Sequence, residues 1–408
     1  MNSNHWTKTT IKEIACVKGG KRLPKGIMLQ DEPNMHPYIR VRDIKSRRIE
    51  VWQDSQYVDN QTFRAISRYI VNSGDVILSI VGTVGVAALV GISLDNASLT
   101  ENCIRFTNLT GITNEFLYYY LISDEGQSEI KKGTVGAVQP KLPIKNILSM
   151  RISIPPLPEQ RAIAATLSCL DDKIELNNRM NKTLEEMAQA VFRSWFVDFE
   201  PFDGAKPTTW VLKTLDEVCA NITDGVHNTV IDDAEGKYLL LSCKNIKNGS
   251  VITKSNERRI NRETFLRLRK RTKLEKGDIL LSSVGTIGEM ALLMEEPTNF
   301  ELQRSVAIIK PKTDILSSVF LYESLVDQKL EIINSSHGAV QQCLFIGDIK
   351  DFKIMIPDTT IIDKFSMLVL PLFEKITQNS NENVYLTNVR DILLPKLMSG
   401  EIPVPSEV

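Results

Sequence analysis

Apolar residues recur at alternating steps of four and three along a segment, Glu159 to Phe199, that contains no Pro and no Gly. This spacing is the heptad seam of a coiled-coil helix, and the Pro-rich stretch just before it is well placed to start one. At about 1.5 Å per residue, a helix of roughly 40 residues is about 60 Å long, too long to lie inside one domain. The predicted seam positions are Ile163, Leu167, Leu170, Ile174, Asn177, Asn181, Leu184, Ala188, Val191 and Trp195.

The same spacing returns 202 residues later, with seam positions Phe365, Val369, Leu372, Ile376, Asn379, Asn383, Leu386, Arg390, Leu393 and Leu397. Both seams carry Asn at the same two places, although a buried Asn lowers coiled-coil stability and usually serves to fix register. We therefore predict that the two helices pair with each other, antiparallel, and that Asn177 and Asn181 meet Asn379 and Asn383. The alternative is that these asparagines lie on a solvated edge.

Pro371 falls inside the second helical segment, where the first segment has Cys169. Because proline lacks a backbone donor and clashes with the preceding turn, it predicts a kink or a restart of that helix. The second helix is then expected to be less regular than the first.

The rest of the chain has a different texture, with short β-branched runs bounded by Gly, Pro, Asn and Asp. YIRVRDI, DVILSIVG and DFKIMIP are typical of strands, and the stretch around Glu115 to Leu121 of a helix. These segments predict mixed α and β structure on either side of the first long helix.

A duplication organises the whole chain. GDVILSIVGTVG, from Gly74, returns as GDILLSSVGTIG, from Gly277, and WTKTTIKEI, from Trp6, corresponds to WVLKTLDEV, from Trp210. A GAVQ segment followed by Ile-Pro also occurs twice, and the offset stays between 202 and 204 residues throughout. Such constancy indicates duplication, and two copies favour a pseudo-symmetric pair of domains.

The predicted fold class is therefore α+β: two pseudo-symmetric mixed α/β domains joined by two long antiparallel coiled-coil helices. The predicted boundaries are 1–155 (domain 1), 156–204 (first helical segment), 205–357 (domain 2) and 358–408 (second helical segment). The repeated GTVG and GTIG segments each follow an apolar run and are interpreted as tight strand turns, not as phosphate-binding loops.

Composition excludes several classes of protein. The six cysteines form no CxxC pair, which favours a reduced, cytoplasmic protein without a cysteine metal site, and no apolar run reaches the roughly 20 residues of a membrane helix. The four histidines form no HExxH motif, and the chain has neither a Walker loop nor the Asn-Pro-Pro-aromatic motif of amino-methyltransferases. We expect no catalytic residues, no metal and no cofactor bound by this chain.

Charge is distributed unevenly. The net charge is −1, but the segments 1–155 and 206–356 carry +5 and +1, whereas 156–205 and 357–408 carry −4 and −3. Basic residues also cluster locally: RRINRETFLRLRKRTK, Arg258 to Lys273, holds eight basic residues and one Glu. Such local density is what phosphate binding requires, although a single charge run is most often only a solvated face.

Candidate nucleic-acid contacts follow from these clusters and from polar loop residues. His227 is equally consistent with a turn residue bonded to its neighbours, and the two Gln residues either both contact nucleic acid or both cap one structural turn. The candidates are Lys18, Lys21, Arg22, Lys25, Arg40, Arg42 and Gln139 in domain 1, and Asp224, His227, Asn228, Lys244, Lys247, Arg258, Arg259, Arg262, Arg269 and Gln341 in domain 2.

With these features, the chain resembles the specificity subunits of Type I restriction-modification systems over essentially its whole length. The resemblance is carried by the paired GDxxLxxxGTxG and GAVQ segments, the linker IPPLPEQRAIAATLSCLDDKIELNN, the aromatic AVFRSWFVDFEPF and the final LLPKLMSGEIPV. One departure is the second linker, IPDTTIIDKF, which has Ile362 where the first has Gln160.

The resemblance implies a non-catalytic subunit in which two target recognition domains each recognise half of a bipartite site in double-stranded DNA. The helices would set the spacing and dock two methyltransferase subunits, which use S-adenosylmethionine to methylate adenine at N6. Endonuclease and translocase subunits would join them. The alternative is a scaffold that never contacts DNA.

An aromatic cluster closes the first helix and exceeds what one seam can bury. We expect it to pack onto the recognition domains rather than to form part of the methyltransferase-docking surface. Its members are Val191, Phe192, Trp195, Phe196, Val197 and Phe199.

Overall fold

The computed structural model describes residues 6–253, 256–338 and 342–404. It divides into two compact units, one formed by Met1–Leu176 with Glu382–Val408 and the other by Asn177–Asn381. Each unit therefore combines one globular domain with half of each long helix.

Domain 1 is built on a mixed five-stranded sheet and a smaller three-stranded sheet. The larger sheet has the order β2-β9-β6-β7-β4 and the smaller one β5-β3-β8, and β1 pairs with β10 where the chain enters and leaves the domain. The strands are β1 (Thr7–Thr10), β2 (Cys16–Gly19), β3 (Pro37–Ile39), β4 (Arg48–Ile49), β5 (Gln56–Tyr57), β6 (Val76–Ser79), β7 (Ala87–Val90), β8 (Ser98–Leu99), β9 (Cys103–Thr107) and β10 (Arg151–Ile154). The helices are α1 (Ile11–Ile14), α2 (Asn60–Ile66), α3 (Asn114–Ile122), α4 (Asp124–Gly133) and α5 (Ile144–Leu148).

Domain 2 repeats this plan. Its main sheet has the order β12-β20-β17-β18, its smaller sheet β16-β13-β19, and β11 pairs with β21 as β1 does with β10. The strands are β11 (Val211–Thr214), β12 (Cys219–Asp224), β13 (Tyr238–Leu241), β14 (Ile246–Lys247), β15 (Ser250–Val251), β16 (Arg259–Ile260), β17 (Ile279–Ser282), β18 (Met290–Leu292), β19 (Phe300–Leu302), β20 (Val306–Pro311) and β21 (Lys353–Ile356). The helices are α7 (Leu215–Val218), α8 (Arg262–Thr272), α9 (Ser318–Asp327), α10 (Lys329–Asn334) and α11 (Ile346–Asp351).

The two long helices are α6 (Leu157–Phe196) and α12 (Thr359–Met398), each 40 residues long. The expected restart at Pro371 is wrong, since α12 runs through it, whereas the expected kink stays a prediction. Pro371 is exposed, and so is Met367, whose carbonyl loses its helical donor. Water can replace that hydrogen bond on the outer side of the helix, which removes much of the cost of an internal proline.

The helices pair antiparallel within each unit. In the first unit Arg390 on α12 bonds Asp171 on α6, at 2.9 Å between Nη1 and Oδ1. In the second unit Asn379 donates to Asn181, at 2.8 Å between Nδ2 and Oδ1. In the same unit Phe196 of α6 lies 5.2 Å from Phe365 of α12 between ring centroids, so residue numbers rise along one helix as they fall along the other, and the predicted direction of pairing is confirmed.

Of the four seam asparagines two are buried and two half-buried, and none is on an exposed edge, so the solvated-edge alternative is wrong. Asn177 is 0% exposed and Asn379 1%, and Asn181 also donates to Ser380 Oγ at 3.2 Å. Their hydrogen bonds compensate for the loss of water, which is the condition for burying an amide.

Each domain shares one apolar core with the adjoining ends of both long helices. In the first unit Ile163 and Leu167 of α6 and Leu397 of α12 pack with the aromatic residues of α3. In the second unit the aromatic cluster of α6 packs as expected onto domain 2, where Phe196 lies 5.1 Å from Phe320 and 5.2 Å from Phe365 between ring centroids. The helix ends are thus part of the domain cores and not separate appendages.

Both glycine-rich segments form tight connections between two strands, as predicted. Gly82, Gly85, Gly285 and Gly288 all have positive φ, between 79° and 93°. Inside each turn a buried serine acts as a bridge: Ser79 Oγ donates to the Thr83 carbonyl and accepts from the Val86 amide. Ser282 makes the corresponding bonds to Thr286 and Glu289.

One predicted strand is shorter than expected. Within YIRVRDI only Tyr38 and Ile39 belong to a strand, and Val41–Asp43 form a 3-10 turn. The Asp43 carboxylate causes this turn, because it accepts both the Arg40 amide, at 2.8 Å, and the Arg40 guanidinium.

No helix in the described part of the chain is long and apolar enough to cross a membrane. Within the same residues, no group of three or more His, Cys, Asp and Glu side chains is arranged to hold a metal ion.

Candidate nucleic-acid interface

An open cleft of about 570 Å³ lies on domain 1 beside the loop that follows β2. Two predicted DNA contacts, Arg22 and Gln139, line it together although they are far apart in sequence. The cleft is also lined by Ile80, Val81, Glu101, Asn102, Lys141, Leu142, Pro143 and Ile144.

A glycine fixes the shape of this loop. The Gly20 amide donates to the Cys103 carbonyl at 2.9 Å, and a Cβ at Gly20 would lie 2.0 Å from the Thr100 carbonyl oxygen. No other residue type fits so close an approach of two backbones. Arg22 is thereby held beside the turn that carries Glu101.

Arg22 and Glu101 form an ion pair at the edge of the cleft. The Arg22 Nε donates to Glu101 Oε1 at 2.7 Å, while 81% of the Arg22 side chain stays exposed. Burial alone would raise the pKa of Glu101, but the hydrogen bond from Arg22 brings that pKa below its ordinary value. Both groups are therefore charged at neutral pH, and Arg22 is oriented without being covered.

The other basic candidates of domain 1 divide into two groups. Lys18, Lys25 and Arg42 are exposed, and Lys21 lies 5.6 Å from the Tyr69 ring centroid. Arg40 instead belongs to the fold: its side chain is 14% exposed and bonds the Asp43 carboxylate, the Asp54 carbonyl and Gln56. The guanidinium of Arg40 is thus engaged within the fold, and its role as a DNA contact stays a prediction.

In domain 2 the basic run forms helix α8. Asn261 caps it by accepting the Thr264 amide at 2.9 Å, and Phe265, Leu268 and Thr272 are buried against the domain. Arg262, Arg267 and Lys270 are exposed on the same helix. The helix thus presents cations to solvent while its apolar face holds it in place.

Arg269, on the inner side of α8, is also engaged within the fold, and its role as a DNA contact stays a prediction. It bonds the fully buried Glu301 and donates to the Pro297 and Phe300 carbonyls at 2.6 and 2.8 Å. Burial raises the pKa of Glu301, and the hydrogen bond from Arg269 opposes that rise. A cation engaged in this way has few donors left for a phosphate.

Three further basic candidates are partly engaged. Arg258 bonds Asp232 at 2.7 Å and the Val230 carbonyl, Arg259 bonds the Gly236 carbonyl at 3.3 Å, and Lys244 pairs with Glu257 at 3.0 Å. Lys247, in the short strand β14, is exposed.

The loop after β12 joins polar candidates of domain 2. Asp224 lies 2.6 Å from His227 Nε2 and 3.2 Å from Arg271 Nη2, so it bridges the loop and helix α8. His227 is 55% exposed and Asn228 is also exposed. His227 therefore has a local partner and still faces solvent. Gln341 lies outside the described residues.

The comparisons with known proteins decide the family. The profile of the family described as "Type I restriction modification DNA specificity domain" matches residues 3–186 and 207–384, two copies that cover most of the chain. The chain belongs to this family.

Two relatives match this chain over most of their length, and both are Type I specificity subunits. The chain is similar to the Type I restriction enzyme MjaIX specificity subunit of Methanocaldococcus jannaschii, with 28% identity over 98% of this chain and 94% of that protein. It is also similar to the HindI specificity subunit of Haemophilus influenzae, with 26% identity over 76% and 82% of the two chains. The S subunit structure from M. genitalium covers 96% of each chain, with a TM-score of 0.58 and 19% identity, and has the same fold.

Sequence reasoning missed several residues of the two specificity domains. Glu101, Asn102 and Lys141 line the cleft, and Arg267 and Lys270 lie on the exposed side of α8. Helical periodicity within the basic run places Arg267 on the exposed side of α8 and Arg269 on its inner side. No local signal reveals the cleft residues, because they come from three separate loops.

Proposed function

We propose that each specificity domain recognises one half of a bipartite site in double-stranded DNA. The chain belongs to a DNA specificity family, and in its two domains four strands of the main sheet and all three of the smaller sheet have corresponding order. Each domain carries exposed cations, such as Lys18 and Arg22 in the first and Arg262 and Lys270 in the second. Cations position a protein on phosphates, and base edges supply the sequence information.

Catalysis belongs to partner subunits in this proposal. The named relatives are specificity subunits of restriction enzymes, so this chain acts as the recognition component of a larger complex. Two methyltransferase subunits bind S-adenosylmethionine and methylate adenine at N6, and endonuclease and translocase subunits join them. The chain itself supplies no cofactor.

The paired helices set the number of base pairs between the half-sites and provide the docking surface for the methyltransferase subunits. Within each unit, buried seam residues of the two 40-residue helices lie at the pairing, Ile163, Leu167 and Leu397 in the first unit and Asn177, Ile376 and Asn379 in the second. Helix α12 also exposes large apolar side chains, including Met367 at 78%, Tyr385 at 68% and Ile392 at 61%. Such residues on an otherwise polar helix are expected where another protein packs.

Genome-wide mapping of N6-methyladenine tests the proposal. A host that carries this chain and its methyltransferase partner is expected to methylate adenines within one two-part motif, and deletion of this chain should abolish that methylation. Methylation that persists unchanged without the chain would contradict the proposal. The scaffold alternative is not favoured, and it predicts no sequence-dependent footprint when the partner is supplied.

A further inference from the structure

The duplication allows one domain to be compared with the other, position by position, through equivalent hydrogen bonds. The Gly20 amide bonds the Cys103 carbonyl as the Gly225 amide bonds the Val306 carbonyl, and in both domains a Cβ would lie about 2 Å from a backbone oxygen. The serine bridge within the glycine turn is also present in both. The backbone framework at this place is thus equivalent in the two domains.

The side chains that line this framework are different. Counting from Gly20 and Gly225, Arg22 of domain 1 corresponds to His227 of domain 2. The bridge between Val135 and Lys141 corresponds to that between His337 and Cys343, which places Cys343 where domain 1 has Lys141. Counting back from Cys103 and Val306, Glu101 corresponds to Arg304, and Asn102 to Ser305.

The charge therefore reverses at one position, from Glu101 in domain 1 to Arg304 in domain 2, while the supporting backbone stays the same. Arg304 is exposed, and its amide bonds the Val226 carbonyl at 3.1 Å, directly beside His227. A constant scaffold with exchanged polar groups at the same place is what two sites for chemically different ligands require.

The exchanged groups are those that distinguish base pairs. Arginine bonds guanine O6 and N7, carboxylate accepts from cytosine N4, and Asn or Gln pairs with adenine. Among the described residues Glu101 is the only hydrogen-bond partner of the Arg22 guanidinium, and it uses Nε. The two terminal nitrogens of Arg22 remain free for a bidentate contact, and Glu101 positions them.

We infer that the cleft of domain 1 and the equivalent place on domain 2 are the base-recognition sites: Arg22, positioned by Glu101, contacts a guanine edge of one half-site, and Arg304 contacts a guanine edge of the other. The inference rests on the proposed function and names the residues that carry it. The flanking cations Lys18 and Lys25 then bind phosphates and contribute affinity without base preference.

Selection from a randomised double-stranded DNA library, with the full chain bound to its methyltransferase partner, tests the inference. Arg22→Ala is expected to remove the preference for guanine at one position of a single half-site and to weaken binding of the wild-type site by about ten- to a hundredfold. Arg304→Ala should do the same in the other half-site only. Glu101→Gln should weaken the first preference less than Arg22→Ala does.

Two controls separate base contacts from other effects. Lys25→Ala should weaken binding of all sequences about equally, as a phosphate contact does, and the exposed Lys12→Ala should change nothing. Circular dichroism checks that each variant is folded, and 81% exposure of the Arg22 side chain makes its loss compatible with folding.

The outcomes are distinct. If Arg22→Ala leaves every base preference intact, weakens all sequences equally or changes the half-site that Arg304→Ala changes, the inference is overturned. If the wild-type complex selects no two-part motif at all, the proposed function itself has failed, whatever the variants do.

Discussion

Replacing Arg390 by methionine tests how the long helices are held to domain 1. Arg390 occupies a seam position of α12 and donates to Asp171 Oδ1 of α6 at 2.9 Å, while the hydroxyl of Tyr119 of α3 donates to Asp171 Oδ2 at 2.8 Å. The Asp171 side chain is 8% exposed and that of Arg390 27%. Three elements of one unit therefore meet at a single carboxylate.

The expected cost follows from the burial of the carboxylate. Removing one partner of a fully buried ion pair costs about 3–5 kcal/mol, because the remaining charge is left uncompensated. Water reaches part of Arg390, so we expect about 2–3 kcal/mol for Arg390→Met. For a unit of about 200 residues this corresponds to a decrease in Tm of about 5–10 °C.

A double-mutant cycle measures the coupling directly. Asp171→Asn removes the charge but keeps an oxygen for the Tyr119 hydroxyl, so Arg390→Met should cost less in that background, by about 1–2 kcal/mol. The matched control is Asp391→Asn, because the Asp391 side chain also bonds Arg390, at 2.7 Å, but is 59% exposed. An exposed partner should contribute less than about 1 kcal/mol.

Differential scanning calorimetry of the full chain gives the free energies, and hydrogen exchange at α3 and α12 assigns the change to this unit. Additive effects of Arg390→Met and Asp171→Asn would refute the reasoning. A loss of stability in Asp391→Asn as large as that in Arg390→Met would also refute it.

Four further predictions concern the helices and domain 2. Burial raises the pKa of Glu323 to about 8, above the ordinary 4.5. Its contribution to stability is therefore present below about pH 4.5 and is lost as the pH rises through 8. Glu323→Gln should flatten the resulting decrease in Tm between about pH 5 and 8. Gly225→Ala places a Cβ 2.1 Å from a carbonyl oxygen and should cost more than about 3 kcal/mol in urea unfolding, whereas Gly347→Ala, with nothing within 4 Å, should be neutral or slightly stabilising. Asn379→Ala should cost about 1–3 kcal/mol in thermal unfolding because Asn181 Oδ1 loses its donor. An Asn181→Leu, Asn379→Leu double variant that is no more stable than Asn379→Ala would contradict this explanation. One heptad added to each long helix lengthens it by about 10 Å, so the spacer in the methylated motif should grow by about three base pairs. An unchanged spacer would exclude a spacing role for the helices.

Periodicity and repetition are properties of the sequence, and they determined most of the architecture. The four-three spacing from Ile163 to Trp195 predicted a helix that the structure has as Leu157–Phe196, and the Asn positions predicted which helix it meets. The offset of 202 to 204 residues predicted two domains of one topology. These inferences needed no knowledge of long-range contacts, because a regular element repeats its environment along the chain.

The state of single charged side chains was decided only by tertiary structure. Arg40 and Arg269 look like Arg22 and Arg262 in sequence, but Asp43, Gln56 and the buried Glu301 engage the first two inside the fold. A guanidinium whose terminal nitrogens are occupied within the fold, as in Arg40 and Arg269, has few donors left for DNA, and sequence spacing does not show which arginines are so occupied.

Tertiary structure also decided two details of the long helices and the composition of the cleft. Arg390 is a charged residue in an apolar seam, and it is accommodated there because Asp171 of α6 pairs with it. Pro371 is tolerated because it lies on the outer side of α12. The cleft residues Arg22, Glu101 and Lys141 come from three loops that only the folded sheets bring together. The sequence by itself determined which elements form and that they occur twice, because these depend on local periodicity. Folding determined which charges remain free, because that depends on partners that lie far away along the chain.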